Sequence, residues 1–293
     1  MNIKCEDTII GNVSDYLLWV KETNKAEVIS DEGQPICFEN NNIYYRGQSC
    51  SCWELKPSVF REPILDEHSL LNKASLKLWN EVSSLRTHLE KMIFFQHYGL
   101  CTRLLDVTFN PLVALYMACC EEKWNTCDGV VFCGYSVERR NDKIAELTAK
   151  YVFENELQLM VVGFHHFLKA QNVKIDSFTQ PIFILPPINN PRIEAQNGAF
   201  IMVPLIDKII DEETALLNMK SLNGTEFFDE RRAIIKGYDK ESILHELSIL
   251  GIDSGTIYKG IEEKLKAIVI EEKWNINRNK NIKFLNSATL LQI

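Results

Sequence analysis

The chain lacks the marks of several protein classes, and each absence narrows the reading. No run of about 18 apolar residues occurs, so no transmembrane helix is expected. The opening residues, Met1 to Asp7, lead into mixed polar sequence without a signal-peptide core. Together these set the expectation of a soluble, cytoplasmic protein with no membrane partner. A basic surplus is missing as well. The 32 Lys and Arg are outnumbered by 40 Asp and Glu, for a formal net charge of -8. That balance excludes a general nucleic-acid footprint, although it allows a local basic patch.

Metal and cofactor signatures are also missing. None of the nine cysteines is spaced Cys-x-x-Cys, and Cys50-x-Cys52 and Cys119-Cys120 are poor zinc spacings. Cys101, Cys119, Cys120 and Cys133 lie in apolar runs, so the expectation is reduced thiols filling a core, with no metal. The glycine-rich dinucleotide and phosphate loops, His-Glu-x-x-His and Gly-x-Ser-x-Gly are all absent. The adjacent His165 and His166 read as partly buried or surface residues, since no motif surrounds them. No internal repeat, low-complexity tract or interdomain linker divides the 293 residues, a length ample for one large domain.

What is present is a composition 46% hydrophobic and 25% charged, with clear periodic segments. Residues 13–22 fit a short helix. Residues 42–47, 103–107, 130–135, 181–186 and 232–236 read as strands, and 191–203 as a turn or short helical segment feeding another. Leu70, Leu71, Ala74, Leu78, Val82, Leu85, Leu89, Met92 and Ile93 form one apolar stripe, which predicts a long helix over 66–97 ending at Gly99. Asn110-Pro111 predicts a capped helix start, and 240–250 and 255–270 look helical. The expected fold is a single α+β domain with a mixed or antiparallel sheet, a long amphipathic helix and a helical C-terminal part.

Three stretches carry candidate chemistry. In the first, Arg46 ends a strand, where its fork of donors suits a phosphate or carboxylate, or is simply exposed. Gly47 lets a ligand or a neighbouring backbone approach closely, and Gln48 follows. In the second, Arg103 and Asp106 sit among Leu104, Leu105 and Val107. Charges there are paired in a structural ion network or used on a ligand, because burying them alone is costly. Thr108 and Asn110 either cap the next helix or contact a ligand. His97, at the end of the long helix, is a ligand contact or a structural hydrogen-bonder. In the third, Glu194 and Gln196 precede an apolar strand. If extended, they face the same side and can position a nucleophile or a ribose hydroxyl; otherwise they form a polar turn.

These stretches resemble a known family. Tyr45-Arg46-Gly47-Gln48, the run from Trp53 through Leu55, Pro57 and Ser58 to Phe60-Arg61, and Gln96-His97-Tyr98-Gly99-Leu100 continuing through Thr102-Arg103-Leu104-Leu105-Asp106 to Thr108 closely resemble the FRG domain family. Arg192-Ile193, Gln196, Gly198-Ala199-Phe200 and Leu247 with Leu250-Gly251-Ile252 look like it too, so the resemblance spans about 44–260. It implies an N-terminal helix and lead-in over 1–43, the FRG domain over 44–260, and a helix and tail over 261–293. Tyr258-Lys259 departs from the aromatic-Pro pair expected there.

A second resemblance is to mono-ADP-ribosyltransferases with an Arg-Ser-Glu type site. Tyr45-Arg46-Gly47 looks like the first motif, Asp106-Val107-Thr108 leading into Ala114 to Ala118 like the second, and Glu194-Ala195-Gln196 before Phe200 like the third. This resemblance implies a split sheet, NAD as substrate, and a toxin or anti-phage effector acting on a protein, RNA or DNA target, with a neutralising antitoxin as partner. Arg46, Glu194 and Gln196 take catalytic places. Arg46, Gly47, Gln48, His97, Arg103, Asp106 and Thr108 take NAD-binding ones. The departure is Gln196, which stands where the family has its catalytic Glu, so Glu194 or Asp106 must supply the carboxylate. The alternatives are a non-catalytic nucleotide- or anion-binding module, and a nuclease or hydrolase using Asp106, His97 and Glu194. The transferase reading requires Arg46, Thr108 and Glu194 or Gln196 to line one cleft.

Overall fold

Strand Gly129–Tyr135 explains the architecture. Its residues are all buried, as an uninterrupted apolar run requires, and they divide between two cores. Val130 and Phe132 face one, whereas Val131, Cys133 and Tyr135 face the other. A sheet apolar on both faces must be covered on both, so helices lie above and below it. The computed structural model describes residues 7–24, 28–29, 35–36, 43–135, 142–155, 160–162, 173–186, 191–210, 214–217, 228, 231–253 and 257.

The described strands are β1 (Asp7–Ile10), β2 (Val28–Ile29), β3 (Pro35–Ile36), β4 (Ile43–Gln48), β5 (Leu104–Thr108), β6 (Gly129–Tyr135), β7 (Met160–Val162), β8 (Ile182–Ile184), β9 (Gly198–Met202), β10 (Ile206–Ile209), β11 (Thr214–Leu217) and β12 (Arg232–Ile235). The described helices are α1 (Val13–Thr23), α2 (Glu67–Lys77), α3 (Trp79–Val82), α4 (His88–His97), α5 (Pro111–Cys119), α6 (Asp142–Glu154), α7 (Pro191–Gln196) and α8 (Lys240–Ile249). The main sheet has seven strands in the order β1-β12-β6-β4-β5-β9-β8. Its pairs are antiparallel except β1 with β12, so the sheet is mixed. A three-stranded sheet, β10-β11-β7, and the β2-β3 pair complete the α+β fold.

On one face, α2, α4 and α6 contribute Leu70, Leu71, Met92, Phe95 and Val152 to the larger core. On the other, α1, α5 and α8 contribute Tyr16, Leu115, Ala118, Ile243 and Leu247. Full burial of each large apolar side chain stabilises by roughly 1.5–3 kcal/mol.

The segment expected as one helix over 66–97 is three helices. Leu78 leaves the helical region at φ -115° and ψ 34°, which ends α2. Thr87 then starts α4 with a capping box. Its hydroxyl accepts from Glu90 N at 3.1 Å, and Glu90 Oε2 accepts from Thr87 N at 3.2 Å. The apolar stripe keeps its period across the breaks because all three helices pack on the same core. The other expected strands and the helices at 13–22, from Pro111 and at 240–250 are present. The helix expected over 255–270 lies outside the described residues apart from Ile257, as do the tail, His165-His166 and Tyr258-Lys259.

Cysteine chemistry differs from expectation at one place. Cys50 and Cys52 form a disulfide, with Cα atoms 5.4 Å apart. The turn after β4 brings the two residues within bridging range. Cys119 and Cys133 are buried in the core, as expected. Burial pushes the Cys119 thiol up to about 12, so it stays protonated at neutral pH.

Helix α5 crosses the sheet at unusually short range. A Cβ on Gly47 would run into the Ala114 carbonyl and come within 2.8 Å of Ala118 N. One on Gly129 would meet the Ala118 carbonyl oxygen at 2.5 Å. Two glycines on neighbouring strands, with alanines on the helix, therefore set this approach.

Candidate functional site

The three motif stretches come to adjacent strands. Tyr45 of β4 pairs with Thr108 of β5, and Thr108 pairs with Gly198 of β9. The β4–β5 ladder is a single residue pair, whereas β4 pairs with β6 along its whole length. Where β4 and β5 separate, the Arg46 Nη1 donates to the Asp106 carbonyl at 2.6 Å. Arg46 Nε is sealed from solvent and has no acceptor among the described residues. Burial lowers the guanidinium to about 10, opposed by the Asp106 carboxylate and reinforced by the nearby Arg61. Arg46 thus stays cationic at neutral pH, with its buried Nε left without an acceptor.

Asp106 is the hub. Its Oδ2 accepts from Gln96 Nε2 at 2.7 Å. The other end of that amide, Gln96 Oε1, accepts from the Thr102 hydroxyl at 2.8 Å. Helix α4 therefore delivers Gln96 from its last turn to fix the carboxylate. Thr108 Oγ1 donates to the Gln196 carbonyl at 2.5 Å and accepts from Asn110 N at 2.9 Å. It thereby ties the α7–β9 turn to the start of α5. Asn110 caps α5 by accepting from Leu112 N at 3.0 Å.

Glu194 and Gln196 lie on α7, so residues two apart point to different sides. Glu194 is exposed, and Gln196 is half-buried, with its Nε2 donating to the Ile257 carbonyl at 3.1 Å. A cavity of about 20 Å³ lies against Asp106, Thr108, Gln196, His97 and Gln96. It holds one water at most. His97 is buried there, its ring edge-on to Tyr98 at 5.0 Å. Thr108 and Gln196 therefore share one cavity, whereas Arg46 and Glu194 are not among its lining residues, so this cavity is not the single cleft that the transferase reading requires; Arg46 reaches it only through its bond to Asp106.

The remaining sequence candidates fill structural places. Arg103 is buried and held by Glu67, the first residue of α2. Its Nε and Nη2 each reach Glu67 Oε2 at 2.9 Å, and its backbone N donates to Glu67 Oε1 at 2.7 Å. The guanidinium also stacks over Phe60 at 5.6 Å. Of the two readings of Arg103, this is the structural ion network. Gly47 serves a neighbouring backbone, that of α5. Gln48 is buried and donates to the Glu54 carbonyl at 3.4 Å.

Sequence reasoning did not single out a second, larger cavity. A pocket of about 650 Å³, ligand-sized, opens beside the turn that follows β4. Trp53, Lys56, Arg61, Cys101, Glu121 and Trp124 are among its lining residues. Arg61 links it to the Arg46 network. Arg61 is exposed, yet partial desolvation of its guanidinium lowers it, and the Asp106 carboxylate is the largest influence opposing that shift. Lys240, buried at the start of α8, braces the wall by donating from Nζ to the Ser49 and Trp124 carbonyls at 2.7 and 2.8 Å. The signal was an Arg closing the Trp53 to Arg61 motif, in a segment without regular structure. Among the described residues no group of three His, Cys, Asp or Glu could hold a metal, and no helix is long and apolar enough to cross a membrane.

Residues 41–126 match the FRG domain model. The match holds β4, α2 to α4, β5, α5, the Arg103–Glu67 pair and the whole Arg46–Asp106–Gln96 network. The FRG-like motifs at 192–200 and 247–252 lie beyond it. No curated protein and no solved structure matches the chain. The FRG match itself names no reaction, so activity must be argued from the residues.

Proposed function

We propose that the chain is an NAD-dependent mono-ADP-ribosyltransferase whose carboxylate is Asp106. One observation carries the reading. Three motif stretches far apart in sequence become neighbouring strands, β4, β5 and β9, with Arg46 bonded to Asp106 and Thr108 bonded to Gln196. Asp106 has both neighbours the chemistry needs, cations on one side and the Thr108–Gln196 cavity on the other. Glu194, exposed on α7, is the weaker choice.

In this reaction the bond from ribose C1′ to the nicotinamide nitrogen breaks, and nicotinamide leaves neutral with the electron pair. An acceptor lone pair forms the new bond to C1′, and the acceptor proton passes to a base or to solvent. Arg46 and Arg61 hold the pyrophosphate. Asp106, fixed by Gln96, stabilises the positive charge developing on the ribose. Thr108 holds the strand end beside the nicotinamide half. A cavity of about 20 Å³ is too small for a nicotinamide ring and is not lined by Arg46, so turnover requires opening at the Gln196–Ile257 contact that joins Arg46, Thr108 and Gln196 in one cleft. The acceptor is a protein or nucleic acid, consistent with a toxin or phage-defence effector, and such an activity calls for a neutralising antitoxin in the cell that makes it.

A second reading is favoured by Gln196 itself. An amide stands where the transferase pattern has a carboxylate, and it bonds to the chain's own Ile257. On that reading the domain binds a nucleotide or other anion without turnover.

The test is nicotinamide release from NAD by the full chain in the presence of cell extract. Release should fall about 100-fold in Asp106→Asn and in Arg46→Ala, as expected for removal of transition-state electrostatics. Saturable NAD binding with no release selects the binding module. Release undiminished in both variants sinks the transferase assignment to these residues.

A further inference from the structure

The pocket beside the β4 turn has features that the strand motifs do not explain. Trp53 and Trp124 meet edge to face, with ring centroids 5.0 Å apart, at its wall. The Arg61 guanidinium lies over Trp53 at 6.0 Å, and Lys123 Nζ lies over Trp124 at 5.9 Å. Arg61 Nε donates to the Lys56 carbonyl at 3.0 Å, which fixes the side chain. Its two terminal nitrogens make no hydrogen bond among the described residues. Trp124 Nε1 is also buried without an acceptor.

We propose that this pocket binds a nucleoside diphosphate, base against the Trp53–Trp124 pair and phosphates on the outward nitrogens of Arg61. Several features select that class. Aromatic walls favour a flat ring, and a planar guanidinium with paired donors left over favours a phosphate. The charges are balanced, with Lys56, Arg61 and Lys123 against Glu54, Glu62 and Glu121. A polyanion such as RNA or DNA therefore gains little net attraction. A small ligand can place phosphate on Arg61 and ribose hydroxyls on a carboxylate. The Lys56–Glu54 and Lys123–Glu121 pairs are long, at 4.0 and 3.7 Å, and partly exposed, so both lysines can turn to a ligand cheaply. Asp106 acts on Arg61 as well as on Arg46. This electrostatic influence ties the pocket to the network assigned above. The identity of the ligand as the ADP end of NAD rests on the transferase reading; binding of a nucleoside diphosphate does not.

The experiment is titration of the full chain with ADP, followed by intrinsic tryptophan fluorescence and by calorimetry, alongside nicotinamide release from NAD. ADP should bind. Arg61→Ala should weaken it at least about 10-fold, the loss of a charge-assisted contact, with Arg61→Lys in between. Trp124→Phe, which keeps an aromatic ring against Trp53, should reduce the fluorescence response and weaken binding less than Arg61→Ala. Thermal melting of each variant checks that it is folded. ADP affinity unchanged in folded Arg61→Ala, or no ADP binding at all, overturns the proposal. So does preference for a single-stranded oligonucleotide over ADP. ADP binding that depends on Arg61, with nicotinamide release that ADP fails to inhibit, supports the pocket and overturns the identification of its ligand as the ADP end of NAD. ADP binding lost in Arg61→Ala, with no release by the unmodified chain, supports the pocket and removes the transferase.

Discussion

Arg103 and Arg46 lie near opposite ends of the same strand pair, and each reaches across to another element, yet their surroundings differ. Arg103 meets a carboxylate through two of its nitrogens and stacks on Phe60, and the backbone beside it uses the remaining oxygen of Glu67. Arg46 meets one carbonyl and no carboxylate, and has a second arginine for a neighbour, while each guanidinium keeps one sealed nitrogen without an acceptor, Nε in Arg46 and Nη1 in Arg103. An arginine that serves the fold is neutralised at short range. An arginine that serves a ligand is held in place by a weaker acceptor, and its charge is left to be matched by something else. The 2.6 Å bond to the Asp106 carbonyl positions Arg46 without neutralising it.

This difference is open to attack first at Arg103. Arg103→Ala strands the Glu67 carboxylate, 1% exposed, without its counter-charge. The expected cost is about 3–5 kcal/mol, read as a fall in urea midpoint. The double variant Arg103→Met with Glu67→Leu should recover much of it, because no charge is then buried alone. Equal losses in the single and double variants would mean that packing, rather than the ion pair, is what Arg103 supplies.

Gly47→Ala is next. The added methyl has nowhere to go against Ala114 and Ala118, and overpacking of this kind costs about 3 kcal/mol. The variant separates the two readings of Gly47. If the glycine serves α5, stability falls and the folded fraction still binds ADP. If it serves a ligand, ADP binding falls at little cost in stability. Unchanged melting would contradict the close α5 approach.

Much of this was legible locally. The all-apolar run 130–135 declares a strand buried on both faces, and Asn110-Pro111 declares a helix start. The capping box Thr87-x-x-Glu90 was equally legible, yet the unbroken period of leucines masks it, because helices in series on one core keep a common apolar phase. Other features have no local signature. Nothing near Arg103 says that its partner is Glu67, 36 residues earlier. Nothing near β1 announces a parallel pairing with β12, more than 200 residues away. For the candidate site, the motifs pointed to the right strands but not to the depth of each side chain. Glu194 and Gln196 share a face only if extended, and α7 is helical. Arg61 was visible as a motif residue. Its place in a large pocket follows from the turn after β4, which sequence periodicity does not describe.

The smallest expected effect concerns how the two helices that serve these arginines are anchored. Helix α2 presents Glu67 from its first turn, so disturbance of that end reaches Arg103 directly. Helix α4 presents Gln96 from its last turn, far from its own cap. Thr87→Ala removes the hydroxyl that accepts from Glu90 N, a change that typically costs about 1 kcal/mol. The loss is buffered here, because Glu146 of α6 accepts from His88 N and Leu89 N at 3.1 and 2.8 Å and continues to cap the same turn. Stability should therefore drop slightly, while Gln96 stays on Asp106 and ADP binding stays level. A change in ADP affinity on Thr87→Ala would show that α4 shifts as a rigid rod from cap to last turn. Arg46 would then depend on its helix as tightly as Arg103 depends on Glu67, and the distinction between a structural and a ligand-facing arginine would fail at that point.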